Sequence, residues 1–170
     1  HIAEMFPEAD IVQMGDSGVG IITEGWFAES FPSWNAEAAL PTNIPGFDPN
    51  EVDILTTDSA YLYTEIANWY PEGRFSQFNT YKDATQVTYY QYMGGGSQEE
   101  WTEQMVERIE TIQDGASNFA SFIAPGEAHC IINTNEIYTL ESDGVLLIDW
   151  IDEMLQGTVP ESIDCEECLE

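Results

Sequence analysis

An α/β fold with a mostly parallel sheet flanked by helices is the architecture expected of this 170-residue chain, on three grounds. Short apolar or alternating runs at 10–14, 74–80 and 118–124 have the length and composition of strands. Segments with apolar residues at helical spacing lie between and after them, the order that builds parallel sheets from strand–helix–strand units. The length suits one domain, 1–170, and 43% apolar with 12% aromatic residues is enough to bury a core.

Residues 1–6 read as the tail of a helix that Pro7 stops. The run 10–14 is a strand entering a glycine-rich loop at 15–20. Residues 26–50, rich in Pro, Asn, Gly and aromatics, read as a cap-like irregular segment or short helices. Leu55, Leu62, Ile66 and Trp69 mark a helix within 52–70 that ends at Pro71. Residues 74–80 alternate as a strand, and 84–92 form a helix ending at Gly94-Gly95-Gly96. Ser97 and Glu100 have the spacing of a capping box. The helix it opens, 98–113, places Trp101, Met105, Ile109 and Ile112 on one face. Residues 118–124 form a strand stopped by Pro125 and Gly126; 131–132 and 137–140 are short apolar pieces; 145–155 is a helix closed by Gly157.

The charge is far from balanced, with 32 Asp and Glu against 3 Lys and Arg and a net −29. The fixed cations are Arg74, Lys82 and Arg108. A nucleic-acid binder needs a basic footprint to displace counterions, so that class is excluded. The same charge opposes docking on anionic lipid, and the sequence holds no apolar run of about 18 residues to span a membrane. Self-repulsion of this size is relieved by salt, which points to saline surroundings, marine or halophilic. No Asp-x-Asp-x-Asp-Gly calcium loop occurs, and neither a metal nor a cofactor is expected.

In parallel sheets the reactive groups sit on loops at the carboxyl ends of strands. Three loops qualify, 15–20, 81–83 and 126–129, and they hold Ser17, Asp83 and His129. Gly15-Asp16-Ser17-Gly18-Val19-Gly20 admits two readings. One is a nucleophilic serine on a sharp turn after a strand, but the Gly-x-Ser-x-Gly elbow fails at Val19. The other is a structural turn in which glycines permit positive φ and Asp16 hydrogen-bonds the loop. The second is preferred. An imidazole titrating near neutrality suits the base of a hydrolase, and an acid must orient it from its other nitrogen. His129, directly after the strand 118–124, is the candidate base, and Asp83, on the loop after 74–80, is the candidate acid.

Phe122-Ile-Ala-Pro-Gly-Glu-Ala-His-Cys-Ile131, with Asp83-Ala-Thr-Gln86 upstream, resembles the pectin acetylesterase family, which includes the Notum-like carboxylesterases. That resemblance implies an α/β-hydrolase with a Ser–Asp–His triad, in which Asp83 in its Asp-x-x-Gln context is the acid and His129 of the His-Cys pair is the base. It covers nearly the whole chain but only the C-terminal half of the family's fold. The family's Asp-Ser-Gly turn matches Asp16, Ser17 and Gly18; these three and Gln86 are the candidate substrate-contacting residues. The Gly-x-Ser-Ala-Gly elbow is then expected before His1, on an N-terminal segment or a second chain, so that Ser17 is not the nucleophile.

Cys130, Cys165 and Cys168 make a poor zinc set with one distant histidine. The family's cysteine-containing tail implies a disulfide between Cys130 and Cys165 or Cys168, in an oxidising, extracellular compartment. Three functions follow in order: a serine ester hydrolase acting on an acyl or acetyl ester, an acetylated polysaccharide among them; a non-catalytic binding or assembly module on the same scaffold; and an acidic cation-binding surface protein.

Overall fold

The computed structural model describes residues 2–48, 53 and 57–169. It is a mixed α/β structure. In chain order the helices are α1 (Ile2–Met5), α2 (Glu24–Trp34), α3 (Ser59–Trp69), α4 (Ala84–Tyr92), α5 (Gln98–Gly115) and α6 (Leu147–Leu155). The strands are β1 (Val12–Asp16), β2 (Arg74–Thr80), β3 (Phe119–Ala124), β4 (Glu141–Ser142) and β5 (Val145–Leu146). Strands β1, β2 and β3 form a parallel sheet in that order, and β4 and β5 form a separate antiparallel hairpin.

Helices cover both faces of the parallel sheet, which is why β2 and β3 are buried along their whole lengths. One core layer joins Phe75, Phe119 and Ile123 of the sheet to Ala60 and Ala67 of α3 and to Trp101, Met105, Ile109 and Ile112 of α5. The other joins Phe78, Ala120 and Phe122 to Leu147, Trp150 and Met154 of α6. Outside β3, Ile163 adds a single parallel bridge, donating its N–H to Ser121 and accepting from Ile123. Among the described residues β1 pairs with β2 alone, and its residues are only half-buried.

Local chemistry explains the helix starts. Asp58 caps α3 by accepting from Tyr61 N at 2.8 Å, Asp83 caps α4, and the Ser97 hydroxyl accepts from Glu100 N at the start of α5. Asn118 fastens the turn before β2 by donating to the carbonyls of Ala67, Tyr70 and Gly73, each at 3.0 Å.

Four expectations change. Strand β1 runs on through Gly15 and Asp16, because both pair in register with Gln77 and Phe78. The aromatic segment begins with an eleven-residue helix, α2, and continues in two 3-10 turns, Ala36–Ala39 and Pro45–Phe47; positions 49–50 lie outside the described residues. Helix α3 starts at Ser59, later than the expected 52; Ala60 and Ala67 meet the core, and Trp69 is 45% exposed; Leu55 lies outside the described residues. Residues 145–146 are a strand, not helix: Asp143 and Gly144 both have positive φ (50° and 80°) and close a tight hairpin. The Asp-Gly pair was the available signal for it.

Candidate functional site

The carboxyl ends of β1, β2 and β3 lie side by side, and the loops that follow them are bonded to one another. After β2 the chain runs through Tyr81 and Lys82 into Asp83, the cap of α4. The loop after β3 pairs with it in steps: Tyr81 N donates to Ala124 O (2.8 Å), Lys82 N to Gly126 O (3.0 Å) and Ala84 N to Glu127 O (3.1 Å). The Thr80 hydroxyl donates to Ala128 O at 2.7 Å. These bonds fold the 124–128 loop back over the start of α4 and bring His129 to Asp83.

The imidazole Nδ1 of His129 is 2.8 Å from Asp83 Oδ2. Asp83 is 0% exposed, whereas the His129 side chain is 34% exposed. A buried carboxylate survives only when its oxygens are paired, and here they are. Oδ1 accepts from Thr85 N and Gln86 N, the orphan amides of the first turn of α4, and Oδ2 accepts from Gln86 Nε2 at 3.0 Å as well as facing the imidazole. The carboxylate is fixed by one helix start, and its remaining lone pairs orient the ring from Nδ1. This is the arrangement that leaves Nε2 for proton transfer.

The end of β1 and the turn after it serve the same loop from the other side. Asp16 Oδ1 and Oδ2 accept from Ile131 N at 2.9 and 3.0 Å, and Oδ2 accepts from Ile132 N at 3.0 Å. Ser17, 7% exposed, accepts from Cys130 N through Oγ at 3.0 Å. Gly15, before it, lets the strand end pack against Tyr63, whose hydroxyl would lie 2.6 Å from an added Cβ, whereas at Gly18 a Cβ would make only ordinary contact at 3.6 Å. Thus Asp16 does not bond its own loop, as the sequence reading had it, but amides 115 and 116 positions away.

Gln86 is shared between this pair and a neighbouring cleft of ≈ 680 Å³, lined also by Gly20, Ile21, Ile22, Trp26, Trp34, Tyr89, Tyr92 and Met93. Its walls come from α2, the strand-end loop before it and α4, and its lining is almost wholly apolar. Trp34, Tyr89 and Tyr92 are exposed there. Thr80, which ties the Ala128 carbonyl, is a site residue that sequence reasoning missed; a threonine ending a strand carries no distinctive signal.

The expected disulfide is corrected. Cys165 bonds Cys168, and Cys130 is a free thiol. The 3-10 turn Glu166–Leu169, capped by Asp143 accepting from Glu166 N, brings the two tail cysteines to a Cα separation of 5.3 Å. Cys130 instead sits with its sulfur 3.6 Å from Asp16 O. Burial and the Asp16 and Asp83 charges push its thiol above the usual range, partly offset by a hydrogen bond with Ser17. The tail disulfide is compatible with an oxidising compartment. Among the described residues no group of three or more His, Cys, Asp and Glu is placed to hold a metal, and no helix is long and apolar enough to cross a membrane.

In comparisons with known proteins, no family model, no curated protein and no solved structure matches this chain.

Proposed function

We propose that this chain carries the acid and the base of a serine carboxylic ester hydrolase, with Asp83 orienting His129 and His129 moving the proton. The observation that carries the reading is the 2.8 Å contact between a fully buried carboxylate and a part-exposed imidazole at the ends of neighbouring parallel strands. In the reaction, Nε2 of His129 takes the hydroxyl proton of a serine as that oxygen attacks the ester carbonyl, then returns it to the leaving alcohol. Asp83 stabilises the imidazolium that forms between the two steps.

The serine is proposed to come from outside these 170 residues, on an N-terminal segment or a second chain. Ser17 is a poor candidate, since its Oγ is committed to Cys130 N. The half-buried, singly paired β1 is the natural entry for a further strand. The substrate class is an acyl or acetyl ester, acetylated polysaccharide included, with its apolar part in the aromatic cleft beside Gln86. Secretion into saline surroundings belongs to the same proposal and is supported by the −29 charge.

A second reading is a non-catalytic binding module on this scaffold, favoured by the engagement of Ser17 and by the open cleft. The deciding experiment is fluorophosphonate labelling and nitrophenyl-ester turnover by the full-length protein, alone and with its partner chain if one co-purifies. The hydrolase reading expects label on a serine outside residues 1–170 and turnover lost in His129→Ala. Absence of both label and turnover sinks it in favour of the binding module; label on Ser17 sinks the assignment of the nucleophile.

A further inference from the structure

We propose that Asp16 is a positioning residue: its carboxylate holds the backbone after His129 so that the imidazole stays on Asp83. The proposal rests on reading Asp83 and His129 as an acid–base pair, but it concerns geometry and is tested apart from turnover.

His129 is the one residue between two sets of anchors. On its N-terminal side, residues 124–128 are tied to the end of β2 and the start of α4 by the neutral bonds of Tyr81, Lys82, Ala84 and Thr80. On its C-terminal side, the three successive amides of Cys130, Ile131 and Ile132 all point at the end of β1 and the residue after it. Asp16 takes two of them and Ser17 the third. Only this second anchor carries a charge, and hydrogen bonds to a carboxylate are about twice as strong as neutral ones.

The anchor is itself rigid. Asp16 is in register with Phe78, and Ser17 N donates to Phe78 O at 2.8 Å, so the turn moves with the central strand. Asp83 stands three residues after Thr80, the end of that same strand. The carboxylate that orients the ring and the carboxylate that holds its backbone are thereby referenced to one element.

The backbone also needs holding. Ser17 (φ 59°) and Cys130 (φ 58°) are both non-glycine residues in the left-handed region, and they are bonded to each other. Such conformations persist only where the surroundings over-determine them. Without Asp16, the amides of Ile131 and Ile132 lose their acceptor, and Cys130 can return to an ordinary φ. That rotation swings the backbone at His129 and draws Nδ1 off Asp83. Asp16 is not an alternative acid, because Nδ1 already faces Asp83 and the Asp16 oxygens are spent on amides.

The test reads the His129 Nδ1 proton by NMR, assigned by its disappearance in His129→Gln. The wild-type sequence should give a low-field Nδ1 proton that exchanges slowly with water and a ring held in the Nδ1–H tautomer. Asp16→Ala should abolish that signal and mix the tautomers. Asp16→Asn keeps one acceptor oxygen but places an NH₂ against the amides, and should speed exchange at least about tenfold. Amide exchange in β3 should stay unchanged in both, which separates loss of positioning from general loosening. If Asp16→Ala fails to fold, Asp16→Asn decides alone. An unaltered Nδ1 proton in any folded Asp16 variant overturns the proposal. Altered signals in a full-length protein that lacks esterase activity would remove the hydrolase reading and leave the positioning role; activity with an unaltered signal would do the reverse.

Discussion

Asp83 and His129 lie 46 positions apart in sequence and 2.8 Å apart in the fold, the carboxylate sealed from solvent and the imidazole part-exposed beside it. The carboxylate also caps α4, so one side chain starts a helix and orients the ring. The two tasks separate by substitution. Asp83→Ala removes the cap and strands several buried donors, at a cost of about 2–4 kcal/mol. Asp83→Asn keeps an acceptor for the helix amides and should cost less than half as much, while losing the negative partner of the imidazole. Urea titration of both variants checks this; equal midpoints would refute the double role.

If the proposed hydrolase function holds, His129→Ala in the full-length protein should lower kcat/KM by at least about a thousandfold, the loss that follows removal of a catalytic base. Ser17→Ala should cost less than about tenfold, since it deletes one neutral hydrogen bond and leaves those of Ile131 and Ile132 to Asp16 holding the loop. Parallel kinetics on the two variants distinguish a nucleophile from a support.

Of the three cysteines at 130, 165 and 168, iodoacetamide on unreduced protein should label Cys130, with Cys165 and Cys168 protected. The thiolate is the reactive form, and burial with the Asp16 and Asp83 charges pushes the Cys130 thiol upward, so less thiolate exists at about pH 8 than for a free cysteine. Alkylation should therefore be slow, and Asp16→Asn should quicken it by removing one of the two charges. Mass mapping of the labelled peptides gives both results.

Alkali should destabilise the protein through the phenols of half-buried Tyr63 and buried Tyr90. Burial raises both Tyr63 and Tyr90 above 10.0, and Glu100 adds to the rise at Tyr90. Because their folded values exceed the unfolded ones, the stabilisation is complete below about pH 10 and is lost as pH climbs through the raised values. Phenolate absorbance should appear in two stages, the later one coinciding with loss of circular dichroism. A single stage completed before unfolding would contradict it.

With −29 on 170 residues, the melting temperature should climb with NaCl up to molar concentrations as self-repulsion is screened. A scan that is flat from low to high salt would count against this.

The elements themselves were written locally. Residues 74–80 and 84–92 became β2 and α4 at the expected bounds, and Ser97 capped α5 as its spacing required, because alternation, capping and glycine stops act within a few residues. The Asp83–His129 pairing was half legible: two strand-end loops, neighbouring if the strands were parallel and adjacent. What packing alone decided was long-range. Nothing near Asp16 in sequence announces that its oxygens receive the amides of Ile131 and Ile132, since that bond exists only after β1 has docked on β2 and the 124–128 loop has folded back. The cysteines make the same point. Composition supplied three thiols, but which two join depends on Cα separation, and the 3-10 turn at the tail set that distance for Cys165 and Cys168 while the Asp16 turn held Cys130 elsewhere.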